Sequence, residues 1–188
     1  TDGSASALTI ANSTGGTGLI TLSGALGATH AITSLTVEDD LNLAASVTSS
    51  GNQTFNDAVT LGSAVTLTSA TGNVQFDSTL GSDSTARALT INAQSTASGQ
   101  GSVTLDGVVG ATKLAAVDIT GNAVTINQTF SSSSTVEITN AGLLTVADDA
   151  TITADGGFTQ NGAGLMNLGA NIATTNAGIT IGSALTLL

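Results

Sequence analysis

The chain contains no cysteine, no proline, no tryptophan and no tyrosine. Lack of cysteine excludes disulfides and thiolate metal centres, but it does not fix a compartment. Lack of proline means that no residue would break a β-ladder from within. Four phenylalanines are the only aromatics among 188 residues, so any core has to be aliphatic. Basic residues are nearly absent as well: Arg87 and Lys113 face thirteen acids, for a net charge of −11. Nucleic-acid binding needs a basic footprint to displace counterions, and an anionic membrane surface attracts the same groups. Neither partner is expected. No apolar run approaches the ~20 residues of a membrane-spanning helix, so no membrane insertion is expected either. The opening residues do not read as a signal peptide, so for an exported protein the targeting segment is expected outside this sequence.

What remains is still enough to fold. Leu, Ile, Val and Phe number 47, a quarter of the chain, which is above the level of a disordered polymer. Ser, Thr, Gly and Asn fill most of the rest, with 23 glycines.

The aliphatics follow a three-letter word: apolar, small polar, apolar. It occurs at Leu8-Thr9-Ile10, Leu35-Thr36-Val37, Leu41-Asn42-Leu43, Val59-Thr60-Leu61, Val65-Thr66-Leu67, Val74-Gln75-Phe76 and Leu89-Thr90-Ile91. It continues at Val103-Thr104-Leu105, Val117-Asp118-Ile119, Val124-Thr125-Ile126, Val136-Glu137-Ile138, Leu144-Thr145-Val146, Ile179-Thr180-Ile181 and Leu185-Thr186-Leu187. A period of two marks a strand with one buried face, and the β-branched bias agrees. Starts at 35, 41, 47, 59 and 65 lie on a six-residue grid, with Gln53 and Phe55 holding the open place. Gly, Ser, Asn and Asp turn the chain between them. Three-residue strands at this pitch are too short for hairpins and predict a solenoid, in which each strand's partner lies one coil away.

The fold expected is therefore all-β: a parallel β-solenoid, right-handed, with about nine coils of roughly 20 residues. Residues 1–188 form one solenoid domain in this reading. The line "VTLGSAVTL" at Val59–Leu67 returns as "ITIGSALTL" at Ile179–Leu187, a spacing that suits six coils of about twenty. "GALGAT" at 24–29 and "GVVGAT" at 107–112 form a second pair, spaced near four coils. "NQTF" recurs at Asn52 and Asn127, a spacing that no fixed coil fits, so coil length is expected to vary, which favours the right-handed β-helix over the strict hexapeptide left-handed kind.

The phrases "GNQTFNDAVTLGSAVTLTS" (51–69) and "SGALGATHAITSLTV" (23–37) resemble the β-strand repeats of giant bacterial secreted adhesins of the filamentous-haemagglutinin class. That resemblance implies a right-handed β-helical shaft, export across an outer membrane, and a role in adhesion or surface structure, outside the bacterial cell or on it. It carries no catalytic residues over.

Candidate chemistry is sparse. His30, the only histidine, stands where the second copy has Lys113, and it reads as an exposed turn residue rather than part of a Ser-His-Asp site. Glu38, Asp39, Asp40, Asp148 and Asp149 could pair as acid and base on a glycan, but they read as solvated turns because no Trp or Tyr supplies a sugar platform. Calcium is the one cofactor to weigh, with Asp155-Gly156-Gly157 touching the edge of a calcium-repeat motif without completing it. "GGTG" at 15–18 lacks the third glycine of a dinucleotide fingerprint. Asn12, Asn52 and Asn127 head N-x-S/T sequons that composition alone explains. Phe55 and Phe130 are expected in the core. No catalytic, cofactor-binding or metal-binding residues are assigned, and no enzyme is expected.

A solenoid end exposes apolar side chains and unpaired strand edges, and neither "ALTI" nor "ALTLL" is blunted. The expectation is a non-catalytic shaft or fibre component that stacks end to end on itself, as a slice of a longer shaft or as a subunit. The alternative is a ligand-binding solenoid whose outward Thr columns hold glycans or ice, for which Thr66-Thr68 and Thr151-Thr153 supply paired threonines.

Overall fold

A strand of three residues gains too few hydrogen bonds from a neighbour in sequence, so it must be paired above and below by other coils. The computed structural model, which describes residues 5–12, 18–93 and 101–188, has that arrangement. The first coil holds β1 (Ala7–Ile10) and β2 (Ile20–Leu22), and its third side is made by bridges at Leu26 and Ile32. Coil two holds β3 (Ser34–Val37), β4 (Leu41–Leu43) and β5 (Val47–Ser49). Coil three holds β6 (Gln53–Phe55), β7 (Val59–Leu61) and β8 (Val65–Ser69), and coil four β9 (Val74–Phe76), β10 (Leu80–Ser82) and β11 (Leu89–Ala93). Coil five is β12 (Val103–Leu105), β13 (Val109–Leu114) and β14 (Val117–Gly121), and coil six β15 (Val124–Ile126), β16 (Phe130–Ser132) and β17 (Val136–Asn140). Coil seven is β18 (Leu144–Val146), β19 (Ile152–Ala154) and β20 (Phe158–Asn161), and coil eight β21 (Met166–Leu168), β22 (Ile172–Thr174) and β23 (Ile179–Ile181). A last strand, β24 (Leu185–Leu187), begins another turn.

Among the described residues, the first strands of the coils form sheet A with nine members, the second strands sheet B with eight, and the third strands sheet C with seven. Every pairing is parallel. All fourteen words lie in strands, and every flanking side chain from Leu35 to Val146 is buried, leaving the middle residue outside. Burial of each such aliphatic stabilises the fold by about 1.5–3 kcal/mol. Phe55 and Phe130 are buried as expected, and Phe55 stacks on Phe76 of the next coil with ring centroids 4.6 Å apart and planes 12° from parallel.

Among the described residues the coils number about eight rather than nine, because some run well past twenty residues; their length varies, as expected. Leu35 sits beside Gln53, eighteen residues on, whereas Val74 sits beside Val103, twenty-nine on. The spacing of the repeated lines is also not a whole number of coils. Val59 starts a strand of sheet B and Ile179 one of sheet C; Leu26 lies in sheet C and Val109 in sheet B. A strand-and-turn word fits any of the three corners, so the same phrase is reused one side over.

Buried polar groups explain the strands that break the word. Gln53, Ser49, Ser69, Ser82, Ser132, Asn140 and Gln160 all point inward. Each residue makes at least one hydrogen bond, as an isolated group would cost about 1–3 kcal/mol, and Gln53 Oε1 alone among their side-chain atoms is left without a partner. Gln53 Nε2 donates to the Thr68 carbonyl at 2.9 Å and to Ser49 Oγ at 3.0 Å. Gln160 Nε2 donates to Asn140 Oδ1 at 2.6 Å, and Asn140 Nδ2 donates to the carbonyls of Gly142 and Leu165. These amides pin the turns from sheet C to sheet A from the inside.

Candidate functional site

With both flanks of every word from Leu35 to Val146 buried, chemistry is left to the outer columns and the three corners. Sheet A presents one unbroken column: Thr9, Thr36, Thr54, Gln75, Thr104, Thr125, Thr145, Asn167 and Thr186, each beside the next. At the strand spacing the outward side chains repeat every ~4.8 Å, with amides at Gln75 and Asn167 in place of a hydroxyl. Sheet C carries two columns. Thr48, Thr68, Asn92, Thr120, Thr139 and Asn161 form one. Thr66, Thr90, Asp118, Glu137, Thr159 and Thr180 form the other. The pair Thr66-Thr68 therefore faces out together, while Thr151 stands in the corner ahead of β19.

Asp118 and Glu137 are neighbours in that second column. Partial burial, and then the Glu137 charge, push the Asp118 carboxyl above its ordinary value. Asn161 Nδ2 donates to Glu137 Oε1 at 2.7 Å, which gives that carboxylate a neutral partner on its other side.

The corner from sheet A to sheet B is the acidic one. Glu38, Asp39, Asp40, Asp57, Asp77, Asp106, Asp148 and Asp149 all follow a sheet A strand. Asparagines are interleaved among them: Asn56 Nδ2 donates to Glu38 at 3.2 Å, and Asn127 Nδ2 donates to Asp106 at 2.6 Å. Glu38, Asp39 and Asp40 belong to coil two, and Asp148 and Asp149 to coil seven, about 24 Å apart at the coil spacing. The fold does not bring the two groups together. No cluster of three or more His, Cys, Asp or Glu side chains suited to a metal occurs among the described residues. The sequon asparagines are taken up in the ladders: Asn52 Oδ1 accepts from the Asn73 amide at 2.9 Å, and Asn127 binds Asp106.

Two arches stand out from the corner framework, and "GAT" is their signature. Leu26 and Ile32 bridge Val47 and Ser49, so four extra residues bulge between them. Val109 and Leu114 pair with Phe130 and Ser132 in the same manner, with three extra. Both arches start at a glycine with φ of 76°, Gly27 and Gly110. A Cβ there would collide with the carbonyl oxygen of Thr48 or Ser131 in the next coil, so only glycine fits. His30 lies exposed in the first arch. Lys113, in the second, donates to Asp155 Oδ2 at 2.6 Å and holds that carboxyl below the usual aspartate range. Asp155, weighed above for calcium, is thus committed to an ammonium. Arg87 makes a two-pronged pair with Asp83, at 3.0 and 2.7 Å. The Arg87 hydrogen bonds, then the Thr85 amide, lower the Asp83 pKa. Residues 15–17 of "GGTG" lie outside the described residues.

The alternating pattern exposed the columns in advance but gave no sign of the arches or of the acidic corner. Acids or asparagines directly after a sheet A word, as at Val37-Glu38, Phe76-Asp77 and Leu105-Asp106, were the available signal for that corner. No family model, curated protein or solved structure matches this chain.

Proposed function

We propose that this chain is a non-catalytic structural shaft, or a fibre component with adhesive contacts, displayed on the bacterial cell surface or in the extracellular matrix. The observation that carries the reading is the continuity of the three parallel ladders. Sheets of nine, eight and seven strands run the length of the molecule around one aliphatic core. Such a rod grows by coils of about 4.8 Å and transmits load along stacked hydrogen bonds. Its outer columns are mainly Thr, interrupted by Asn, Gln, Asp and Glu, and face away from the core.

Self-stacking belongs to the same proposal. Inward-type side chains of the last strands, Ile179, Leu185 and Leu187, are half to mostly exposed. A further coil, from the same chain or another copy, would cover them and pair their edges.

Immunogold labelling of intact, unpermeabilised source cells with an antibody against this chain tests the reading. Label along thin surface or matrix filaments is the expected result, and label confined to the cytoplasm would overturn it. One observation favours the ligand-binding alternative: threonine occupies seven of the nine places in the sheet A column. Glycan arrays and ice-recrystallisation assays on the purified chain separate that alternative from an inert shaft.

A further inference from the structure

The corner from sheet C to sheet A changes character along the shaft. Its outer position, the residue just before each sheet A strand, runs Asn52, Asn73 and Ser102, then Ala123, Leu143, Leu165 and Ala184. In the first half the asparagines are tied coil to coil, with the Asn73 amide donating to Asn52 Oδ1 and the Ser102 amide to Asn73 Oδ1, both at 2.9 Å. In the second half the polar ladder stops and two leucines stand out, Leu143 at 39% and Leu165 at 55% exposure. They are one coil apart, since the Leu144 amide donates to the Leu165 carbonyl. Together with Ala141, Gly142, Ala163 and Gly164 they line an open cleft of about 380 Å³.

The cleft is preformed. Asn140 and Gln160, both fully buried beneath it, hold the carbonyls of Gly142, Leu165 and Gly164. Gly164 forms its floor, because a Cβ there would strike the Gly142 carbonyl.

Charge indicates what can approach this corner. Twelve acids lie among the described residues: eight on the A-to-B corner, Asp83 and Asp155 in ion pairs on the B-to-C corner, and Asp118 and Glu137 on the face of sheet C. None lies on the C-to-A corner. Glu137 and Asp118 are separated from it by the Thr139–Thr120 column. Two copies with net charge −11 repel each other on most approaches. Corner to corner here, each sheet A strand spans about 10 Å, so the acidic stripes stay roughly 20 Å apart, beyond the ~8 Å Debye length at physiological salt.

We propose that the C-to-A corner of coils six and seven is a side-by-side docking surface for a second copy of this chain, with Leu143 and Leu165 of each copy packing into the other's cleft. The contact is small against the ~1,000 Å² of a stable interface, so one pair of segments associates weakly. Multiplied along parallel rods, it becomes an avidity effect. The pairing of two segments is lateral and separate from end-to-end stacking; only its multiplication rests on the shaft proposed above.

Because the chain has no cysteine, trapping weak encounters is direct. Ala163→Cys, beside the cleft, is compared with Asp57→Cys on the acidic corner and Thr60→Cys on sheet B, each with a short bis-maleimide. Dimer trapping at least tenfold faster for Ala163→Cys is expected. Adding Leu143→Asp and Leu165→Asp to that variant should remove the excess, with circular dichroism unchanged since both leucines are on the surface. Head-to-tail stacks leave the two introduced thiols some eight coils apart and do not mimic the signal. Equal trapping at all three positions, or an excess that survives the two aspartates, would overturn the proposal.

Discussion

Lys113 reaches across a whole intervening coil to place its ammonium 2.6 Å from Oδ2 of Asp155. Thr175 Oγ1, one coil further on, donates to the other oxygen of that carboxylate at 3.2 Å. An arch that looked like a turn in the sequence is thus a strap over coils five to eight. The folded state lowers the Asp155 pKa, so the strap's contribution is present above the ordinary aspartate value near 3.9 and is lost as the pH falls through the depressed one. Lys113→Met should lower the thermal midpoint at pH 7, and the gap from the parent protein should narrow steadily as the pH is lowered below about 4. A gap that persists in acid would mean that the lysine stem, not its charge, does the stabilising.

The Asp118–Glu137 pair has the opposite sign. A folded-state pKa raised above the unfolded one costs nothing in acid, and it costs most once the pH exceeds the raised value. Asp118→Asn should therefore stabilise the protein at pH 7, by a few tenths of a kcal/mol given the solvent screening around the pair. It should be neutral near pH 2. Parallel urea titrations at the two pH values measure this.

The stacked phenylalanines offer a test of the core. Phe55→Ala and Phe76→Ala should each cost about 3–5 kcal/mol. A double-mutant cycle should return a coupling of about 0.5–1.5 kcal/mol beyond burial, because the rings touch across coils three and four. Additive losses would show that stacking adds nothing to area.

Arch glycines should separate from ordinary turn glycines. Gly110→Ala combines a left-handed φ with a collision against Ser131 and should destabilise by more than ~1 kcal/mol. Gly24→Ala meets nothing within 4 Å and should be neutral or slightly stabilising. Chemical denaturation of the two variants decides it.

Strand content and direction were legible in the sequence because the solenoid writes burial as a strict alternation, and Leu35-Thr36-Val37 cannot hide both leucine and valine any other way. Less legible was the role of a phrase repeated out of phase. "NQTF" puts Gln53 and Phe55 inside sheet A in its first copy, yet in its second it spends Asn127 to Thr129 on a corner and only Phe130 on a strand of sheet B. Composition is the same; register differs, and register is set by neighbouring coils. Inward polar residues were hidden for a similar reason. Ser132 and Gln160 look like surface residues until the carbonyls they bind, those of Ala115 and Gly164, are brought beside them by chain windings many residues away or by a turn. The Leu143–Leu165 cleft needs two turns stacked one over the other, which no single phrase displays.

Pulsed electron–electron resonance on spin labels down sheet A tests the stacking itself most directly. With one label at position 36 and the second at 125, 145 or 167, the separations should rise by about 4.8 Å per coil, roughly 19, 24 and 29 Å. A distance that fails to grow from one coil to the next, or that shortens between 125 and 167, would contradict a tube of parallel layers.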